Sequence, residues 1–143
     1  MKLRPLTADE VEFELGCEEE FIPFEGNVLS SGDAALDKEA EDDVRRRLNR
    51  NDVSAWCILT VKAKWKGYTG HASLGCFIFP EGNTGPQNLE YAKDEYEQLR
   101  SEALDDLNQG LATSAKALFE LVAATDVVTF KIGGLRCTVL RSR

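Results

Sequence analysis

From Val53 to Trp65 every odd-numbered position is apolar (Val53, Ala55, Cys57, Leu59, Val61, Ala63, Trp65). From Ala72 to Ile78 every even-numbered one is (Ala72, Leu74, Cys76, Ile78), and Lys66-Gly67-Tyr68-Thr69-Gly70 lies between. Period-two alternation marks a strand with one buried face, and two such runs across a short glycine-containing link form an antiparallel hairpin. Opposed residues share a face, so their numbers add to a constant of fixed parity. An even constant would mix Leu59 and Val61 with Ser73, Gly75 and Phe77, whereas an odd one joins the two apolar sets; the odd register is expected. It gathers Trp56, Ile58, Phe77 and Phe79 at one end of the opposite face and leaves Lys62, Lys64 and Lys66 at the other.

The same kinds of pattern place the remaining elements. Val11, Phe13 and Leu15 form a short first strand, and Cys17 to Asn27, with Pro23 and Gly26, is expected to be irregular. Leu36, Ala40, Val44 and Leu48 fall on one stripe of a helix from about Asp33 to Arg50, with Ser30, Ser31 or Asp33 as its cap. Acids precede bases along it, which suits the helix dipole, and Glu41–Arg45, Asp42–Arg46 and Asp43–Arg47 are the expected surface pairs. Pro80 to Gln87 reads as a loop. Asn88 then caps a helix carrying Leu89, Ala92, Tyr96, Leu99, Ala103 and Leu107, and the stripe resumes past Gly110 at Leu111, Ala115, Leu118 and Val122. Near-continuity is favoured over a break. Val127–Ile132, Gly133-Gly134 and Leu135–Arg141 form a second hairpin. The expected fold is one α+β domain over residues 1–143, with an antiparallel sheet of about five strands (two hairpins plus an N-terminal strand) packed against two or three helices.

Charge narrows the function. A formal charge of −8 opposes direct nucleic-acid binding and suits a partner with a basic surface, such as a protein that itself binds nucleic acid. No apolar run is long enough for a membrane span, and Met1-Lys2-Leu3-Arg4-Pro5 leads into acidic sequence without the core of a signal peptide, so a cytoplasmic location is expected. Cys17, Cys57, Cys76 and Cys137 form no Cys-x-x-Cys pair, so buried reduced thiols are expected rather than a metal site. The single histidine, His71, has no nucleophile motif to serve, and Gly82-Asn83-Thr84-Gly85 lacks the Lys-Ser/Thr of a phosphate loop. No catalytic residue, cofactor or metal is expected.

Asn51-Asp52-Val53-Ser54-Ala55-Trp56-Cys57, followed by Val61-Lys62-Ala63, Gly67-Tyr68-Thr69-Gly70 and Leu74-Gly75-Cys76, resembles small acidic proteins of unknown function encoded by tailed bacteriophages. The likeness extends to the acidic helix before it and to Glu102-Ala103-Leu104-Asp105-Asp106-Leu107-Asn108, and it stops short of the terminal hairpin; Phe77-Ile78 stand where more polar residues would follow. What the resemblance implies is an accessory protein in a bacterial host's cytoplasm that inhibits a host defence or nucleic-acid-acting protein without catalysis.

Site residues come from the patterns instead. The partner surface is expected at the acidic helix face (Asp37, Glu41, Asp42) and at Trp56, Phe77 and Phe79. If covered, that aromatic cluster is ordinary core; if uncovered, it marks a partner or homo-oligomer interface. The alternative function is sequestration of a nucleotide or signalling molecule at Lys62, Lys64 and Lys66, with Tyr68 and His71 nearby.

Overall fold

The computed structural model describes residues 3–124 and 127–140. In chain order it contains a 3-10 turn Ala8–Glu10, β1 (Glu12–Glu19), α1 (Ala34–Leu48), a 3-10 turn Val53–Ala55, β2 (Cys57–Trp65), β3 (Tyr68–Phe77), α2 (Gly85–Tyr91), α3 (Lys93–Ala124), β4 (Val127–Ile132) and β5 (Leu135–Leu140). The class is α+β. The strands do not form one sheet of five: β1, β2 and β3 make a three-stranded antiparallel sheet in that order, and β4 pairs with β5 alone.

Backbone conformation explains the boundaries. Lys66 and Gly67 both have positive φ (45° and 85°), so the first hairpin turns on two residues rather than five, and its twist matches that of the strands. Trp65 therefore faces Tyr68, which is the odd register expected from the apolar pattern. Gly133 and Gly134 (φ 55° and 83°) do the same for the second hairpin, where Ile132 pairs with Leu135 and Val127 with Leu140; Arg141 lies outside the described residues. Val53–Ala55 is not strand, because the Asp52 carboxylate accepts the Ser54 N–H and winds these residues into a 3-10 turn. β1 continues past Leu15 to Glu19, further than the alternation shows. α1 is capped by Asp33, whose carboxylate accepts from Ala35 and Leu36 N–H. The next helix begins before Asn88: Pro86 sits in its first turn, and the Gln87 side chain accepts the Thr84 N–H at 2.8 Å. It pauses at Ala92 (φ −97°, ψ 27°), and α3 then runs through Gly110 unbroken for 32 residues.

The chain groups into two compact units, each discontinuous in sequence and each described by itself: residues up to Glu14 with Lys62–His71 and Arg100 onward, and Leu15–Val61 with Ala72–Leu99.

In the second unit, Val44, Ala55 and Trp56 form a buried cluster against Phe24, Val28, Leu48 and Ile78, and the Trp56 Nε1–H donates to the Ile22 carbonyl at 2.7 Å. Cys57, Leu59 and Val61 are also fully buried, each of the latter two stabilising the fold by roughly 1.5–3 kcal/mol. Arg47 was expected on a charged surface and is instead 3% exposed. Its Nε donates to Asp52 at 2.8 Å and its Nη2 to Ser54 Oγ at 3.3 Å, so the end of α1 is tied to the turn before β2. The pairing of α1 also differs: Asp42 meets Lys38 and Arg45, and Arg46 meets Asp43 and Glu81.

In the first unit, β3 touches α3 backbone to backbone. A Cβ on Gly70 would stand 2.2 Å from the Ala103 carbonyl oxygen and 2.4 Å from Leu107 N, so only glycine fits. Next to it, the His71 N–H donates to Asp106 at 2.8 Å. Ala103 and Leu107 are buried by this approach, and Arg100 lies over the Phe13 ring at 4.7 Å.

Candidate functional site

The acids nominated on α1 all hold partners within the chain. Asp37 accepts the Ser31 backbone N–H and its hydroxyl, which lower its pKa, and Glu41 accepts the Gly26 N–H at 2.7 Å. Lys38, then Arg45, lower that of Asp42. Of the nominated aromatics, Trp56 and Phe79 are 4% and 2% exposed, and the half-buried Phe77 stacks edge-on against Phe79 at 4.9 Å and against Tyr91 at 6.1 Å. Trp56 and Phe79 are therefore core, the exposed Tyr91 ring at the end of α2 contacts Phe77 and Phe79 from outside, and Ile78 joins the packing around Trp56.

The lysine row is not one strand face. Lys62 and Lys64 are on β2, where the Lys64 ammonium pairs with Glu14 of β1 and lowers that carboxyl's pKa. Lys66 is in the turn with its Nζ 5.0 Å above the Trp65 ring. Tyr68 packs on Trp65 at 6.4 Å, and the His71 side chain is exposed. Of the four cysteines only Cys57 is buried, in contrast to the expectation; Cys17 and Cys76 are exposed. Cys17 and Cys57 are both free thiols, and a hydrogen bond between them raises the pKa of Cys57 and lowers that of Cys17. Among the described residues no group of three His, Cys, Asp or Glu side chains could hold a metal ion, and no helix is long and apolar enough to cross a membrane.

Two surfaces outside the nominated sites stand out once the chain is folded. One is the segment after β1. Phe21 is 84% exposed and Ile22 48%, amid Glu18, Glu19, Glu20 and Glu25. An isolated exposed hydrophobe means little; here the backbone beneath the ring is fixed. Glu20 Oε1 accepts the Phe21 and Ile22 N–H groups at 2.9 and 3.0 Å, and Oε2 accepts the Cys76 N–H at 2.7 Å. These bonds, Ile22 first, hold the Glu20 carboxyl below the usual range. Cys76 takes a left-handed conformation (φ 55°), and Gly75 leaves the carboxylate room, since a Cβ there would lie 2.8 Å from Glu20 Oε2. Trp56 Nε1 holds the Ile22 carbonyl from below. Beside the ring a hollow of about 490 Å³ runs between Glu19–Glu25 and Leu48, Asn51 and Val53. A Phe-Ile pair inside an acidic, proline-containing stretch was the available signal; alternation could not find it because the segment is irregular.

The other surface belongs to the first unit. Leu111, Ala115, Leu118 and Val122 of α3 floor a cleft of about 450 Å³ between the N-terminal residues Leu3–Leu6 and the Trp65 and Tyr68 rings. The N-terminal wall is held by Asn108, whose amide accepts the Leu6 N–H at 2.7 Å and donates to the Leu6 carbonyl at 3.0 Å. Arg4 and Glu10 clamp it further with two bonds of 2.8 and 2.7 Å; Arg4, and then the Thr7 N–H, bring the Glu10 carboxyl down to about 2. No family model, curated relative or solved structure matches this chain.

Proposed function

We propose that the chain is a non-enzymatic binding protein whose partner is a protein with a basic surface, consistent with an accessory inhibitor of a host nucleic-acid-acting or defence protein. The contact is made by the Phe21 segment rather than by the α1 acids. The observation that carries this reading is the Glu20 carboxylate, which accepts the Phe21 and Ile22 N–H groups beside an 84% exposed Phe21 and ties that segment to the Cys76 N–H of β3. With the backbone already fixed, only the side-chain rotamer remains to be ordered on binding, and aromatic anchors dominate interface energetics. The surrounding glutamates steer a basic partner and set its orientation.

Tagged protein is used to capture partners from a bacterial lysate, wild type beside Phe21→Ser and Glu20→Gln. A stoichiometric basic protein is expected with wild type, with at least ~30-fold weaker binding for Phe21→Ser, the scale of an interface hot spot. Phe21→Ser should leave the thermal midpoint unchanged. A partner retained undiminished by Phe21→Ser would remove this surface from the function.

A further inference from the structure

We propose that residues 109–124 of α3 form an antiparallel, twofold-symmetric contact with the same segment of a second copy of this chain. The surface is distinct from the one around Phe21, and the inference does not depend on that reading. Three observations point to it.

The first is a loss of cover along one stripe. Leu99, Ala103 and Leu107 are at most 4% exposed, whereas Leu111, Ala115, Leu118 and Val122, at the same helical spacing, are only half-buried and floor the open cleft. A second hollow of about 520 Å³ adjoins it, lined by Ala112, Lys116, Phe119, Glu120 and Ala123, with Phe119 58% exposed.

The second is charge. Within 109–124 the charged residues are Lys116 and Glu120 alone, so this stretch is neutral in a chain of −8. Both line the same hollow. In a twofold contact, residue i meets j and j meets i. An antiparallel pairing centred level with Leu118 sets each Lys116 opposite the other copy's Glu120, while a parallel pairing would oppose like charges. The segment is complementary to itself in one orientation only.

The third is shape and size. Ala112, Ala115 and Ala123 allow close approach of a second helix, and sixteen residues span about 24 Å. One helix pair of that length falls below the area of a standard stable interface, so the dimer should be weak and concentration-dependent.

The test uses the full chain, with molar mass measured by light scattering and sedimentation over a wide concentration range. Wild type is expected to shift from monomer to dimer. K116E and E120K should each weaken the dimer about tenfold or more by opposing like charges twice. The double variant K116E/E120K should restore it, and an equimolar mixture of the two single variants should form the heterodimer. Unchanged circular dichroism and thermal midpoint in dilute solution establish that each variant folds. Monomer at all concentrations, self-association indifferent to the single reversals, or reversals that the mixture and the double variant do not rescue would each overturn the proposal. So would a monomer carrying a bound small apolar molecule, which would make the cleft a ligand site instead.

Discussion

The two halves of α3 carry one apolar stripe at one spacing and meet different fates. In residues 93–108 it ends in Leu99, Ala103 and Leu107, all buried, and the other faces carry six acids against Lys93 and Arg100. In residues 109–124 it continues as Leu111, Ala115, Leu118 and Val122, half-buried, with only Lys116 and Glu120 for charge. Periodicity therefore reports which side of a helix is apolar, and charge density around the stripe reports whether the same chain covers it. A helix that must stay solvated everywhere but on its packed face is strongly charged; one that awaits a second surface is not.

Substitutions can break this contrast. The largest effect is expected at Gly70→Ala, whose Cβ would meet helix backbone that cannot yield; a loss of roughly 3 kcal/mol or more should appear in denaturant unfolding. Leu107→Ala should cost about 3 kcal/mol and Leu118→Ala, measured in dilute solution, about 1 kcal/mol or less. Equal costs would mean the second half is as well covered as the first. Asn108→Ala removes both bonds to Leu6 and should cost about 1–2 kcal/mol, read as faster exchange of amides in the N-terminal segment with α3 protection retained.

The Arg4–Glu10 clamp on that segment has a defined acid limit. Because Glu10 is lowered from 4.5 to about 2, its contribution is complete above about pH 4.5 and is lost as pH falls toward 2. Titration of Glu10 followed by NMR checks this, and Glu10→Gln should show the loosened segment already at neutral pH. The smallest effect is expected at Gly110→Ala, where an added Cβ meets nothing within 4 Å: a gain of about 0.5–1 kcal/mol from helix propensity, seen as a higher thermal midpoint.

What could be read from the sequence was what is local. The alternation of β2, the parity of its hairpin, the Asp33 cap, the Gly133-Gly134 turn and the continuity of α3 through Gly110 all rest on neighbours in the chain. What could not be read depends on distant partners. Gly70 looks like a turn residue until α3 is known to lie on it, and Arg47 looks like one of a row of surface arginines until Asp52 and Ser54 enclose it. The aromatic cluster was legible as a cluster, with core packing one of its two readings; the Tyr91 ring of α2 that meets Phe77 and Phe79 is a contact between residues distant in the chain. The division into sheets of three and two strands was beyond any pattern, because both hairpins alternate equally well. Of the candidate surfaces, the stripe on the second half of α3 was visible as a stripe, and Phe21 was visible only as a residue in a loop.

The backbone approach at Gly70 has a mechanical consequence. With no side chain between β3 and α3 at Gly70 there is nothing soft to shear at that point, and the helix cannot creep along the strand by a fraction of a turn without driving backbone against backbone. The joint behaves as a keyway. Whatever settles on residues 109–124 meets a rail whose register was locked when the chain folded, so it gains or loses affinity by its own fit and not by shifting the helix beneath it.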